Sequence, residues 1–210
     1  MSAANLRTRL VLASASARRL SLLAQIGVEP DDVIPADLDE TPLRSESARA
    51  LVLRLSREKA SASARVVIAG AGHDRVLTLA ADTVVCVGRR ILPKCEIEQE
   101  AGDCLRLLSG RAHRVYTGLT LIVAGGAIRE RLVETRVRFK RLSREEIDAY
   151  ISGGEWRGKA GGYAIQGYAS AFVLRLIGSY SNVVGLPLAE TAALLTGEGY
   201  AVYRGWRKGA

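Results

Sequence analysis

Apolar positions along this chain change from short runs to helical spacing and then to alternation, and each pattern predicts a different element. The run Leu10 to Ala13 predicts a buried strand, and Ala17 to Ile26 predicts a helix that ends at Gly27. A second helix is predicted from Ser47 to about Ser63, where leucines recur among charged residues. Between them, residues 28–45 are rich in proline and aspartate, which predicts irregular structure with one short strand.

The rest of the chain predicts two hairpins with helices around them. β-rich runs lie on both sides of Asp82, which places this residue at the end of a strand, and a turn at Gly88 follows. Alternating runs on either side of Gly125 and Gly126 predict a longer hairpin. The other predicted elements are helices at 96–108, from Ser143 to about Ile151 and from near Pro187, and a strand at 170–177. Strands and helices interleaved in this way predict one α/β unit.

Composition limits the classes of protein to which the chain can belong. Of its 210 residues, 48% are hydrophobic and 25% are charged, which is usual for a globular protein. No apolar stretch approaches the roughly 20 residues that cross a bilayer, and the N-terminal region does not resemble a secretory signal. We therefore expect a cytoplasmic protein without a membrane partner.

Cysteine usage agrees with that location. The three cysteines form no CxxC pair, and the chain has only two histidines, which argues against a structural zinc site and fits reduced thiols. Cys95 is either a spectator or a redox-active thiol.

The formal net charge of +8 is compatible with a polyanionic partner, but basic residues are scattered and only 5% of residues are aromatic. This pattern argues against a stable nucleic-acid partner. The remaining explanations of the positive charge are a nucleotide ligand and ordinary surface charge.

The segment with the clearest chemistry joins the first strand to the first helix. It reads Ser14-Ala15-Ser16-Ala17-Arg18-Arg19. The first N–H groups of a helix have no partner within the helix and carry partial positive charge, so hydroxyl and guanidinium groups there complete an oxyanion site. The segment therefore predicts phosphate binding. The alternative is that Ser16 only caps the helix and that both arginines are solvated.

Five further motifs accompany this segment, and each is weak alone. They are Ala81-Asp82-Thr83, Leu92-Pro93-Lys94, the run from Leu108 to His113, the run from Lys159 to Gly167 and the run from Ser179 to Leu188. In this order the motifs resemble the Maf family of nucleoside triphosphate pyrophosphatases, over about residues 8–196. The resemblance implies an α/β fold with an elongated mixed β-sheet flanked by helices, two lobes and a central cleft. It also implies a homodimer and a single domain over 1–210, with residues 197–210 as a tail.

The same resemblance implies the reaction and its site. A nucleoside triphosphate is hydrolysed to a monophosphate and pyrophosphate with Mg²⁺ or Mn²⁺, and the branch that acts on dTTP and UTP is indicated. Such an enzyme removes surplus or non-standard pyrimidine triphosphates. Asp82 and Lys94 are the predicted catalytic residues. The other predicted roles are phosphate binding by Ser14, Ser16, Arg18, Arg19 and Lys59, base selection by Arg18, Thr83 and Gln166, and metal binding by Glu40 and Asp82.

These residue types suit the chemistry. A carboxylate can accept a proton from water, and arginine and lysine can neutralise phosphate charge as the bond breaks. A glutamine amide can donate to one carbonyl of uracil or thymine and accept from N3–H, while an arginine or a threonine hydroxyl serves the other carbonyl. Pro93-Lys94-Cys95 stands where the family often has Gly-Lys-Pro, which leaves the pose of Lys94 open.

Plainer interpretations stay open as well. Asp82 can end a strand in a turn, Gln166 can bond to the backbone of its own loop, and Lys59 and Glu40 can be ordinary surface residues. The whole protein can also be a regulator of cell division that binds nucleotide without essential turnover. Asp82 and Lys94 favour turnover, because a binding protein has no need of a carboxylate that activates water.

Overall fold

A computed structural model of the chain describes residues 8–70, 75–203 and 206, without the side chains of 68–70. The strands are β1 (Thr8–Leu12), β2 (Asp32–Val33), β3 (Arg75–Val87), β4 (Arg90–Leu92), β5 (Lys94–Cys95), β6 (Ala112–Val123), β7 (Ile128–Phe139), β8 (Lys159–Ala160) and β9 (Val173–Ile177). The helices are α1 (Ala17–Gln25), α2 (Ala48–Gly70), α3 (Glu98–Leu108), α4 (Arg144–Ser152), α5 (Tyr180–Val184) and α6 (Leu188–Gly197), with a 3₁₀ helix at Tyr168–Phe172.

Seven of the strands form one mixed sheet in the order β2-β1-β3-β6-β7-β9, with β4 paired to β3. β1 is parallel to β2 and β3, whereas the other pairs in the sheet are antiparallel. Strands β5 and β8 form a separate antiparallel pair. β3 has 13 residues and β6 and β7 have 12 each, so these three strands form the long centre of the sheet. The predicted mixed α/β sheet flanked by helices is confirmed.

Alternation of side chains along β3 distributes the helices over the two faces of the sheet. Leu77 and Leu79 pack in one cluster with Leu23 of α1 and with apolar residues of α6. Val84 packs on the other face, against leucines of α2. A further large cluster surrounds Trp156, where α3 and α4 pack on the second half of the sheet. The two largest clusters thus fill separate halves of the sheet, as expected for two lobes.

The prediction that Asp82 lies at the end of a strand is wrong. β3 continues through Asp82 because β6 pairs with every residue from Leu77 to Cys86, and this pairing outweighs one charged residue in the strand. The residue opposite Asp82 is Gly118, where a Cβ atom would lie 2.3 Å from the carbonyl oxygen of Val52. Only a glycine allows this approach, so Gly118 lets α2 pack close to the sheet beside Asp82.

Most other predicted elements are confirmed, with differences at their ends. Both hairpins, α1 and α3 are present, and a capping box with both of its hydrogen bonds opens α4 at Ser143. α2 extends to Gly70, well beyond the predicted end. The strand predicted at 170–177 begins only at Val173, after the 3₁₀ helix, and α5 has no counterpart among the predicted elements.

The predicted tail is described only in part, since residues 204–205 and 207–210 lie outside the described residues. Within it, Val202 is buried, and Nε1 of Trp206 donates a hydrogen bond to the carbonyl oxygen of Ile26 at 2.8 Å. These two contacts attach the end of the chain to the lobe that contains α1. The single-domain organisation stays a prediction.

Candidate active site

One cavity of about 510 Å³ opens beside the middle of β3. Its walls come from the loop between β1 and α1 with the start of α1, from the loop between β2 and α2, from α2, β3 and β5, and from the segments around β8 and at the end of α5. All ten residues that the sequence predicts for the site line this cavity: Ser14, Ser16, Arg18, Arg19, Glu40, Lys59, Asp82, Thr83, Lys94 and Gln166. The structure therefore brings the separate motifs together, while the role of each residue stays a prediction.

A gap along one edge of β3 makes room for the cavity. β1 pairs with β3 as far as Leu79, and β4 begins to pair with it at Val85. Asp82 and Thr83 lie between these two partners, with β6 alone continuing on the other side. Because neighbouring side chains of a strand point to opposite faces, Asp82 meets α2, whereas Thr83 meets the end of α5 at Gly185.

The loop before α1 places hydroxyl and guanidinium groups at the helix N-terminus. The Ser14 hydroxyl oxygen accepts hydrogen bonds from the backbone N–H of Ser16 (3.3 Å) and from Nη1 of Arg19 (2.9 Å). Ser16 occupies the N-cap position, as the plainer interpretation has it, but its side chain makes no cap hydrogen bond. Burial lowers the pKa of Arg18 and of Arg19, which means that neither guanidinium is fully solvated.

Two lysines and two carboxylates alternate along the cavity. The Nζ atom of Lys59 lies 2.6 Å from Oδ1 of Asp82 and 2.6 Å from Oε1 of Glu40. Lys94 contacts the other carboxylate oxygen of Glu40, so it reaches the cavity although Pro93 precedes it. Lys59 and Asp82 are only 7% and 2% exposed. The interpretations of Lys59 as a surface residue and of Asp82 as a turn residue are therefore wrong.

Glu40 is held in its charged form. Burial opposes the charge, but hydrogen bonds from Lys59 and Lys94 together outweigh burial and lower the pKa of Glu40 to about 2. Glu40 and Asp82 both contact the Lys59 ammonium group, so the two carboxylates together form a negatively charged region that attracts a cation. These carboxylates fit Mg²⁺, which proteins usually bind through one or two carboxylates, with substrate phosphates and water as the other ligands.

The structure adds two basic residues that are not among the predicted site residues. Arg157 and Lys159 also line the cavity, which brings its basic side chains to six against two carboxylates. The Arg157 guanidinium lies over the Trp156 ring, 4.8 Å from the ring centroid, and Nζ of Lys159 donates to the Arg157 carbonyl oxygen at 2.9 Å. Burial, and then the charge of Arg18, lower the pKa of Lys159. The sequence could have indicated Arg157 and Lys159, because one basic residue stands on each side of Gly158 within the glycine-rich run.

The lining of the cavity also includes uncharged polar groups. The Thr83 hydroxyl oxygen lies 2.9 Å from that of Thr117. Gln166 is exposed on the cavity wall, and its amide bonds to no group of the described residues, in contrast to the interpretation of Gln166 as a loop amide bonded to backbone. Tyr163 also lines the cavity, and its hydroxyl lies 2.8 Å from Nε2 of the buried His113.

Cys95 belongs to the core next to the cavity. Its side chain is fully buried, and its sulfur lies 3.7 Å from the sulfur of Cys104. The hydrogen bond with Cys104 and burial raise the pKa of the Cys95 thiol. A thiol in this environment stays protonated at neutral pH and is a poor nucleophile, which favours the spectator interpretation.

Comparison with known proteins identifies the family. A family model described as Maf-like protein matches residues 9–198. The chain belongs to the Maf family. A curated relative from Mesorhizobium japonicum, named dTTP/UTP pyrophosphatase, is 61% identical over 198 residues, which cover 94% of this chain and 95% of the relative. A relative from Brucella abortus with the same name is 60% identical over 205 residues, covering 98% and 99% of the two chains.

Solved structures extend the comparison to the fold. A structure of a HAM1 protein from Coxiella burnetii has a TM-score of 0.50 with this Maf-family chain at 15% identity, covering 91% of this chain and 100% of that one. At this identity the likeness concerns the fold alone, and it agrees with the mixed sheet described above. In the part of the chain that the structure describes, no helix has both the length and the apolar character needed to cross a membrane.

Proposed function

We propose that this protein hydrolyses dTTP and UTP to the monophosphate and pyrophosphate, and that it thereby removes surplus or non-standard pyrimidine triphosphates. The observation that carries the proposal is the buried Asp82 carboxylate, held by Lys59 inside a cavity that six basic side chains line. The names of the relatives from Mesorhizobium japonicum and Brucella abortus support the same substrates.

The cationic groups suit the triphosphate. Ser14, Ser16 and Arg19 lie at the N-terminus of α1, where the unpaired N–H groups of a helix favour bound phosphate. The planar fork of arginine matches two phosphate oxygens at once, whereas lysine acts as a compact charge. Lys94 and Lys59 would stabilise the charge that moves onto the pyrophosphate as the bond between the α and β phosphates breaks.

Asp82 would orient the attacking water and take its proton. One carboxylate oxygen, Oδ1, accepts from Lys59, and the other has no protein partner among the described residues. The second oxygen is therefore available to a water molecule in the cavity. Lys59 fixes the side chain in position, so the direction of the free oxygen is set before substrate binds.

Glu40 and Asp82 would hold Mg²⁺, or Mn²⁺, together with phosphate oxygens. No cluster of three or more histidine, cysteine or carboxylate side chains suited to a metal occurs among residues 8–70, 75–203 and 206. Substrate phosphates and water would be the other ligands, as is usual for Mg²⁺. When bound, such an ion polarises phosphate oxygens and lowers the charge that the leaving group carries.

A pyrophosphate-release assay with dTTP, UTP, CTP and dGTP tests the proposal. We expect release from dTTP and UTP in the presence of Mg²⁺, and a loss of about a hundredfold or more in kcat for Asp82→Asn, as for the removal of a general base. Asp103→Asn, a change at an exposed carboxylate of α3, is the matched control and should keep the wild-type rate. Release by Asp82→Asn at the wild-type rate would show that Asp82 is assigned wrongly.

The wall that carries Gln166 is the candidate base-binding wall. An amide can donate to one base carbonyl, and a cytosine reverses the pattern of donors and acceptors at two atoms. Gln166→Ala should therefore reduce the preference for UTP over CTP while much of the rate on the poorer substrate remains. An equal loss of rate on every nucleotide would instead indicate that Gln166 shapes its loop. The homodimer, the lack of a nucleic-acid partner and the cytoplasmic location stay predictions.

A further inference from the structure

A chain of hydroxyl groups runs from the protein core to Thr83 in the cavity. The hydroxyl oxygens of Thr83 and Thr117 lie 2.9 Å apart, and the Thr117 oxygen lies 3.3 Å from the backbone carbonyl oxygen of Asn182. Thr117 and Asn182 have no exposed surface. Each hydroxyl has one hydrogen to donate, so the partners at the ends of this chain determine which oxygen donates and which accepts.

The core end of the chain is fixed by Asn182. Its Nδ2 atom donates to the hydroxyl oxygen of Thr135 at 2.9 Å and to the carbonyl oxygen of Val115 at 3.2 Å. The Thr135 hydroxyl in turn donates to the carbonyl oxygen of Ser179 at 3.1 Å and accepts from the Ser179 N–H at 3.0 Å. These bonds attach α5 to β6 and β7, and they hold the Asn182 carbonyl group beside Thr117.

Two arrangements place a hydrogen between the two hydroxyl oxygens, as their separation of 2.9 Å requires. In the first, Thr117 donates to the Asn182 carbonyl and Thr83 donates to Thr117. In the second, Thr117 donates to Thr83 and Thr83 donates to the carbonyl oxygen of Gly185, 3.4 Å away. The Gly185 oxygen already accepts a charge-assisted bond from Nε of Arg19 at 2.9 Å, so it needs no second donor.

The Asn182 carbonyl decides between the two arrangements. Within the described part of the chain, Thr117 is the donor bonded to this oxygen, since the backbone N–H groups of Gly185 and Leu186 both donate to Ser181 instead. The second arrangement would leave a buried carbonyl oxygen unpaired, which is unfavourable. The first arrangement pairs this carbonyl oxygen, and it turns the hydrogen of Thr83 away from the cavity.

We propose that Thr117, held by Asn182, is a positioning residue that makes the Thr83 hydroxyl a hydrogen-bond acceptor toward the cavity. The inference rests on the proposed function. Thr83 then accepts the N3–H of uracil or thymine, whereas the N3 atom of cytosine has no hydrogen and is repelled by the same oxygen. In the sequence-based hypothesis Thr83 donates to a base carbonyl, and the hydroxyl chain reverses this role.

Binding measurements on Thr117 variants test the proposal. Thr117→Val removes the hydroxyl at nearly constant shape, and Thr117→Ser is the matched control that keeps it. The probes are the non-hydrolysable α,β-methylene analogues of UTP and CTP, with dissociation constants measured by calorimetry. We expect wild type and Thr117→Ser to share one UTP-over-CTP ratio and Thr117→Val to lower it about tenfold, as for the loss of one mismatched hydrogen-bonding contact.

The direction in which the affinity for the CTP analogue changes distinguishes a loss of positioning from general damage to the site. With Thr117 gone as an acceptor, the Thr83 hydrogen can turn toward the cavity and donate to N3 of cytosine, so the CTP analogue should bind Thr117→Val more tightly than wild type. General damage would weaken both analogues together. Thr117→Ala, which leaves a small cavity, provides the same test if Thr117→Val does not fold.

An unchanged ratio in Thr117→Val, or equal weakening of both analogues, would overturn the proposal, and so would a wild type that binds both analogues equally. The pyrophosphate-release assay tests the proposed function separately. A wild type that prefers the UTP analogue but releases no pyrophosphate would contradict the proposed hydrolysis. The role of Thr117 would then still be tested by the change in the UTP-over-CTP binding ratio of Thr117→Val.

Discussion

The ammonium group of Lys59 lies 2.6 Å from a carboxylate oxygen of Asp82, and both side chains are buried. A buried carboxylate without a counter-charge is strongly unfavourable, and the Lys59 ammonium group supplies the counter-charge to Asp82. Because Lys59 belongs to α2 and Asp82 to β3, the same pair also joins helix and sheet at the cavity.

Lys59→Met should therefore destabilise the protein as well as slow it. The methionine keeps much of the apolar stem but leaves Asp82 unpaired, and breaking a buried pair costs about 3 kcal/mol or more. For a chain of this size such a loss lowers Tm on the order of 10 °C. Thermal unfolding and pyrophosphate release measure the two effects. Lys59→Arg, which keeps the charge, is the control, and a Lys59→Met variant with the wild-type Tm would contradict the buried-pair interpretation.

The lowered pKa of Glu40 predicts a pH dependence of stability. Its folded pKa of about 2 lies below the ordinary value of 4.5, so the paired carboxylate contributes stability above about pH 4.5 that is lost as the pH falls toward 2. Glu40→Gln should thus lower Tm at pH 6 and have no effect near pH 2. Partial exposure of the pairs keeps this contribution to about 1 kcal/mol. Glu29→Gln, at an exposed carboxylate, is the control, and equal effects of Glu40→Gln at both pH values would contradict the assignment.

Gly185 contacts both Arg19, predicted to bind phosphate, and Thr83, predicted to select the base. Its carbonyl oxygen accepts from Nε of Arg19, and its φ of 132° is a value that residues with a side chain rarely adopt. Gly185→Ala should lower Tm and raise KM, because the strain of about 1–3 kcal/mol is relieved by moving the carbonyl away from Arg19. Gly197→Ala is the matched control, since no heavy atom lies within 4 Å of an added Cβ there. A wild-type KM in Gly185→Ala would show that Arg19 does not depend on this carbonyl.

Local patterns in the sequence account for much of the fold, whereas the ten cavity residues are predicted through the resemblance to the Maf family. The strand before Ser14, the capping box at Ser143 and the glycine turns each depend on neighbours in the chain, which a sequence pattern records. The motifs also occur in one order, so the cavity follows once they are assigned to one family.

Features that depend on contacts between distant segments are not visible in the pattern. Asp82 lies inside a continuous strand because β6 pairs across it, and a single charged residue gives no hint of such a partner. α5 has only five residues, too few to show a helical period. Thr117 looks like an ordinary strand residue, and its position between Thr83 and Asn182 appears only when β3, β6 and α5 meet.

The lowered pKa of His113 predicts a second pH range in which the stability of the protein changes. Burial lowers its pKa to about 4 from the ordinary 6.5, so between these values the unfolded chain binds a proton that the folded protein does not. Stability should therefore fall by about 3 kcal/mol as the pH drops from 7 to 4. Urea unfolding of His113→Gln, which keeps a polar partner for Tyr163, should show a smaller fall, whereas Glu40→Gln should keep the wild-type fall above pH 5. The same slope in wild type and His113→Gln over this range would mean that other groups cause it.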